Sequence, residues 1–566
     1  MTAPGLWAVV SALSGLVLLA VVGRLPGAPL GFPLDDAWIH LVYARGLTDD
    51  LVLGYNPGVP TTGCTSPLWA LLLAPLHALL VSVPGDVDSL LASVMVLGGA
   101  LHVVGAVVAA RIVLALGGPS WGAALAGSVV GLSPPLCSAA LSGMEVALTS
   151  ALMLGGVLAA VRDRLGWAGL WLGLAALARP EAALVGLAVS AMSVARRRGA
   201  RARVRGFFGL AIPALMLGVA LVAYNLWASG RPLPATFYVK AATASTDLAD
   251  RLLMGVRGLL RQVPPFGTWL GWLFAIASLL PGRLFETSAR RRGDVGGGPP
   301  GQAVAGADTS LYHPASRVMP AAAGLAFFAG NLYVAAPTDP SAFYHLRYVL
   351  PSVPLLIVAA TLGATALLSM VSAPRVRSLA IGVVVGLVAF EIAGSTASTS
   401  RSHHNDVRNI NDVQRSIGEW LADRVPEGSY VAANDAGAIR YFSNRPVVDL
   451  EGLNTPELRS DPDRFAREHP VVAVAVIPEW YRPSSGTSLR VAMQRTTDDY
   501  TVTSFPAMAT QVVAVCPEVA SSTSPDAHGT ARVITLVGRR TVTLWCRPWT
   551  PDGVGAASAW PGDRGR

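Results

Sequence analysis

Two adjacent carboxylates open the most chemically suggestive stretch of the chain, Pro33-Leu34-Asp35-Asp36-Ala37-Trp38-Ile39-His40-Leu41-Val42-Tyr43-Ala44-Arg45. Pro33 followed by acidic residues reads as a helix start, where carboxylates suit the positive end of the helix dipole. On such a helix Asp36 and His40 are four residues apart and share a face with Tyr43. A carboxylate placed there has the chemistry of a general base toward a hydroxyl. An adjacent pair also has the chemistry to hold Mg²⁺ or Mn²⁺. The plainer reading makes Asp35 an N-cap and Asp36 a first-turn charge. Ionisable groups at a bilayer boundary are costly to place, which favours a functional role for the pair.

The cations are as informative as the acids. Lys240 is the sole lysine among 43 basic residues, so this chain uses Arg wherever a generic positive charge suffices. A retained Lys points to a need for a compact ammonium on a flexible stem, for instance against a phosphate. It closes the segment Asn225–Lys240, which also holds Thr236 and Tyr238. Further polar islands are Ser142-Gly143-Met144-Glu145, Arg179-Pro180-Glu181 and Tyr344-His345-Leu346-Arg347-Tyr348. Asn56 and Thr65 sit in Gly- and Pro-marked turns, Gly54–Gly58 and Thr61–Trp69, that present backbone amides and hydroxyls. Each island also has a plainer reading: a solvated boundary charge, a neutral hairpin corner, or an aromatic belt with a snorkelling Arg.

Between these islands the chain is apolar. Its 566 residues are 52% hydrophobic and 14% charged, with a mean hydropathy of +0.49. Soluble domains carry roughly 25% charged residues, which excludes a cytosolic enzyme, a disordered regulator and a small secreted scaffold. The formal charge is +8, yet the basic residues cluster between apolar runs, where they record orientation rather than a nucleic-acid partner. The fold class is therefore an α-helical polytopic membrane protein. Eleven candidate spans lie near 6–23, 88–110, 120–137, 144–161, 166–179, 181–195, 207–228, 265–282, 318–336, 348–370 and 379–396, with 67–83 ambiguous. The first lacks a basic n-region and reads as an uncleaved span rather than a signal peptide.

Arginine placement then sets the topology. The cluster Arg196-Arg197-Arg198 with Arg201, Arg203 and Arg205, the cluster Arg290-Arg291-Arg292, and Arg111, Arg162, Arg164, Arg375 and Arg377 share one side only if 67–83 does not cross. That stretch would lie at the outer membrane surface or re-enter it. The parity gives a cytoplasmic N-terminus and places every polar island, and the C-terminus, on the extracytoplasmic side. Residues 1–396 form the transmembrane domain, interrupted at 283–316 by a linker containing Gly296-Gly297-Gly298-Pro299-Pro300-Gly301. From 397 to 566 polar residues dominate, with an amphipathic helix at 412–424 and β-like runs at 429–433, 446–450, 471–477 and 531–546: an extracytoplasmic α/β domain. Cys516 and Cys546 lie in this tail and would be free to pair in an oxidising compartment.

At these residues the chain resembles the GT-C class of polytopic glycosyltransferases, which take a sugar from a polyprenyl-phosphate carrier. Asp35-Asp36-Ala37-Trp38 carries that resemblance. A narrower branch, the actinobacterial terminal arabinofuranosyltransferase of the cell wall and its relatives, is similar at Asn56-Pro57-Gly58, Thr65–Trp69, Ser142–Glu145, Arg179–Glu181, Leu233–Lys240 and Arg347–Pro351. Asp435–Phe442 and Val448–Leu453 resemble that branch's external domain. Two departures stand out: Thr61-Thr62-Gly63-Cys64 replaces an acidic residue, Gly and an aromatic, and Ala235 replaces Asn.

The resemblance implies an inverting transfer to a cell-envelope acceptor, with Asp35 or Asp36 as general base. Lys240, Arg347, His345 and Arg179 would hold the departing lipid phosphate. Substrate contacts would fall to His40, Tyr43, Asn56, Thr65, Glu145, Thr236 and Tyr238. The resemblance implies no cofactor, with a divalent cation at the carboxylates as the alternative. A groove between spans would take the prenyl chain of the lipid. The rival readings are a transporter or flippase of lipid-linked glycan, expected to show internal repeats and midplane charges, and a non-catalytic envelope assembly protein.

Overall fold

The computed structural model describes residues 2–22, 30–81, 87–243, 269–279, 314–334, 346–456, 471–476, 511–515 and 532–536. His345, the 296–301 linker, Cys516 and Cys546 lie outside these residues, as does the side chain of Lys240. The chain divides into two compact units, neither contiguous in sequence.

Unit 1 comprises Met1–Leu25, Val94–Tyr224 and Lys240–Ser402 and is built of apolar helices. Among the described residues of the whole chain, five helical stretches are long and apolar enough to cross a membrane: Ala3–Val21, Val87–Ala115, Ala200–Ser229, Leu350–Met370 and Pro374–Asp423. Ser120–Leu132 and Pro134–Ala140 form a pair bent by 57°, as expected where Pro follows and the residue before it is driven out of the α region. Val146–Val161, Leu165–Ala178 and Ala182–Ala195 are shorter apolar helices. The expected spans at 265–282 and 318–336 correspond to the helices Trp269–Ala277 and Pro314–Val334. Small residues let these helices approach closely. A Cβ at Gly363 would stand 1.9 Å from the Phe274 carbonyl oxygen, so only glycine permits that backbone contact.

Unit 2 comprises Pro26–Ser93, Asn225–Val239 and His403–Arg566. It groups the first loop and the 225–239 segment with the C-terminal part of the chain. Five strands, β1 (Tyr430–Ala433), β2 (Val447–Asp449), β3 (Val471–Val476), β4 (Gln511–Val515) and β5 (Arg532–Leu536), form one sheet in the order β2-β1-β3-β4-β5. β1 pairs parallel to β2 and β3, whereas β3–β4 and β4–β5 are antiparallel. Four strands fall on the β-like runs of the sequence. β4 was not expected there, being a five-residue run whose state is decided by strands pairing on both its edges. The amphipathic stretch is present as a π-turn Asn411–Arg415 followed by the helix Ser416–Arg424, with Val413, Ile417 and Leu421 buried.

Between β1 and β2 runs a short helix, Ala438–Ser443. With β2 and β3 on opposite sides of β1, the carboxyl end of β1 is the point where successive connections diverge, the usual place for function in an open α/β sheet. The first-loop helices Asp35–Asp49 and Pro67–Leu80 belong to the same unit. The acidic helix, Asp35–Asp49, buries Trp38, Leu41, Val42 and Tyr43.

Candidate active site

The helix expected from the Pro33–Arg45 segment begins at Asp35, and unit 2 uses this residue in a specific way. Asp35 is buried, and its carboxylate accepts hydrogen bonds from the backbone amides of Gly437 (2.5 Å) and Ala438 (2.7 Å). These are the amides at the start of the Ala438–Ser443 helix, left unpaired by the helix itself. A Cβ at Gly437 would lie 2.1 Å from the Asp35 carbonyl oxygen, so glycine is required for the approach. Burial pushes the Asp35 carboxyl well above the usual carboxylate range, and neighbouring Asp435 pushes it further, against the two amides. Asp435 is in turn held by the Gln414 amide, presented from the π-turn.

The other end of the same short helix is held from the same acidic helix. Arg45 donates to the carbonyls of Tyr441 (Nη1, 3.0 Å) and Arg440 (Nη2, 3.3 Å), with its guanidinium 4.9 Å from the Tyr441 ring centre. A carboxylate at the amino end and a guanidinium at the carboxyl end both oppose the helix dipole. Trp38 packs between them against Phe32, Tyr441 and Phe442, with ring centres 4.7–5.4 Å away. Arg440 is buried and donates from Nε to the Tyr55 carbonyl (3.2 Å). Burial, then the charge of Arg45, pulls Arg440 down to about 9.

Both Asp35 oxygens accept from backbone amides, and the neighbouring Asp36 is half-buried. His40, one turn on, is buried. The first-loop turns dock on the β1–β2 region. Tyr55 donates to the Ala436 carbonyl (2.6 Å), and Asn56 exchanges two 2.9 Å bonds with the Val447 backbone, as an added strand residue would. Tyr43 donates to Asn454 Oδ1 (2.8 Å). The tips of these contacts are ordered by Asp449, whose carboxylate collects the amides of Glu451, Leu453 and Asn454 and the Asn454 side chain.

Thr65 is half-buried and Thr236 buried, while Tyr238 is half-buried under the Arg231 guanidinium at 5.2 Å. The Ala235 amide donates to the Thr62 hydroxyl and carbonyl (3.1 and 3.2 Å). The two departures from the resembled pattern therefore touch each other.

Three islands distant in sequence meet within unit 1. Glu145 immediately precedes Val146–Val161, after a turn in which Gly143 takes φ +76°. Arg179 donates from Nη1 to Glu145 Oε1 (2.8 Å) and to the Arg347 carbonyl (3.2 Å), and its Nε lies 3.5 Å from Glu181 Oε2. Tyr348 meets both cations: the guanidiniums of Arg179 and Arg347 lie 5.1 and 4.9 Å from its ring centre. Two carboxylates balance Arg179, and Arg347, half-buried and bonded to the Tyr348 hydroxyl (3.0 Å), is the cation of the group beside them.

Sequence reasoning named Asp35, Asp36, His40, Tyr43 and Asn56 but not Arg45, Gln414, Asp435, Arg440 or Asn454 as their partners. The Asp435–Phe442 segment was visible as a motif. What it touches lies about 400 residues earlier and carries no spacing signal.

A domain of unknown function (DUF8728) matches residues 405–534. Comparison with curated protein sequences finds no match. Among solved structures, the chain is similar to the apo oligosaccharyltransferase of Archaeoglobus fulgidus, with 12% identity and a TM-score of 0.51 over 83% of this chain and 69% of that one. It is equally similar to ArnT from Cupriavidus metallidurans bound to undecaprenyl phosphate, with 15% identity and a TM-score of 0.51 over 88% of this chain and 97% of that one. At such identities the likeness concerns the fold, and the fold of this multi-helical membrane chain is that of the GT-C glycosyltransferases.

Proposed function

We propose that the chain is a glycosyltransferase that moves a sugar from a polyprenyl-phosphate carrier to a hydroxyl of a cell-envelope acceptor, on the extracytoplasmic side of the membrane. The carrying observation is the engagement of Asp35, whose two carboxylate oxygens both accept from backbone amides, which supports its neighbour Asp36 as the base. The fold, and the undecaprenyl phosphate bound by the similar ArnT structure, support the lipid-phosphate donor. The motifs shared with the terminal arabinofuranosyltransferase branch support arabinofuranose as the sugar.

In the reaction the acceptor oxygen attacks the anomeric carbon, and its proton passes to Asp36. The bond from that carbon to the phosphate oxygen breaks, and the lipid phosphate leaves with the electron pair. Attack opposite the leaving group inverts the anomeric centre, as in inverting glycosidases. Developing charge on the phosphate requires fixed cations, for which Arg347 and Lys240 are the side chains of suitable chemistry. Asp35 acts as a positioning residue, holding the helix that carries Asp36.

Membranes containing the protein, incubated with a panel of radiolabelled polyprenyl-phosphate sugars, test this. Label moves to envelope material from one donor, and Asp36→Asn lowers the rate by about 10²–10⁴-fold, the contribution of a general base, with donor binding retained. Full activity of Asp36→Asn would refute its role, and no transfer from any donor to a folded protein would refute the reaction.

A further inference from the structure

One end of unit 1 is built from two turns brought together. Asp163, between Val146–Val161 and Leu165–Ala178, accepts from Arg196 Nη2 (3.3 Å) and is paired with Arg197. Arg196 is buried, donating from Nη1 to Ser316 Oγ (3.0 Å) and from Nη2 to the Ala160 carbonyl (2.9 Å). This fixed base sets the turn Arg162-Asp163-Arg164 against the Arg196–Arg205 run, so two arginines join six around one carboxylate. Arg198, Arg201, Arg203 and Arg205 are exposed. Among the described residues Asp163 is the carboxylate paired with this group, and like charges at this density repel unless further counter-charge offsets them.

What brings that charge is indicated by the residues that follow. Trp167, three positions after Arg164, is 57% exposed, and Phe207 and Phe208, just after Arg205, are 45% and 51% exposed. Exposed Ile212, Leu215, Met216 and Val219 continue the second helix. The two helices touch at this level: a Cβ at Gly169 would stand 2.1 Å from the Leu210 carbonyl oxygen. Both therefore present arginine and then aromatic ring at a matching height, and the second helix continues as aliphatic surface, the order of a membrane interface. Because Ala200–Ser229 is long and apolar enough to cross a membrane, the rings that border the arginines set them at the level of the lipid headgroups rather than out in the water where a soluble acidic partner would meet them. A phospholipid meets both, with phosphate at the guanidiniums and acyl chains below the rings.

We infer that these two turns form a docking surface for the headgroups of acidic phospholipids. Each arginine near an anionic surface strengthens association about fivefold. The test is native mass spectrometry of the full chain in detergent, comparing phosphatidylglycerol with phosphatidylcholine adducts at low and high salt. At least a tenfold preference for phosphatidylglycerol is expected, falling with salt. It is lost when Arg198→Gln, Arg201→Gln, Arg203→Gln and Arg205→Gln are combined and retained in the corresponding Lys variant. Should the Gln variant misfold, the salt titration and the Lys variant still decide. Equal adducts of the two lipids, an unaltered Gln variant, displacement of the lipid by millimolar inorganic phosphate, or tighter binding of a poly-glutamate peptide than of phosphatidylglycerol vesicles would each overturn it.

Discussion

At the scale of single residues, unit 2 places carboxylates where amides rather than cations receive them. Asp35 takes two backbone amides and Asp449 three, with a side-chain amide besides. Such bonds favour the charged form, yet burial outweighs them: the Asp449 carboxyl is pushed up to about 6. A carboxyl raised in the folded state binds its proton more tightly than in the unfolded chain, so its contribution to stability is greatest below the unfolded value near 4 and declines as pH rises to about 6. Asp449→Asn lacks this titration. The stability gap between the unmodified chain and Asp449→Asn therefore narrows as pH rises from about 4 to about 6 and is flat above. Thermal unfolding of both proteins in detergent across that range checks it, and a gap that widens with pH contradicts it.

At the scale of elements, six residues of helix would be marginal alone, and Ala438–Ser443 persists because the acidic helix grips it at both ends. Arg45 supplies two hydrogen bonds to its last carbonyls and a cation–π contact. Arg45→Met keeps much of the apolar stem but loses these bonds, and should destabilise unit 2 by at least about 1.5–3 kcal/mol, the usual worth of one hydrogen bond to a charged group. Hydrogen exchange would show it as faster exchange of the Tyr441 and Phe442 amides with exchange in unit 1 unchanged. Faster exchange spread evenly over the chain would point instead to a general folding defect.

At the scale of the whole molecule, parity of the arginine clusters predicts which loops share a side. A cysteine at Gly58, which has φ +70° and open space around its Cα, should be labelled by a membrane-impermeant maleimide in intact cells. A cysteine at Arg201 should be labelled only after permeabilisation. Labelling of both in intact cells would show that the two loops face the same side and would invert one half of the proposed topology.

Composition and periodicity determined the class of this protein, because a helix crosses a bilayer only as a long apolar stretch and arginine marks its orientation. The acidic helix start, the amphipathic stretch at 412–424 and four of the five strands were legible for a related reason: each depends on residues close in sequence. Tertiary structure alone decided which carboxylate of the Asp35–Asp36 pair is committed to backbone amides, since its partners Gly437 and Ala438 lie some 400 residues away. It also decided that Glu145, Arg179 and Arg347 form one cluster. Hydrogen bonds and ion pairs act through space over a few ångströms, and a linear sequence does not encode which distant segments come that close.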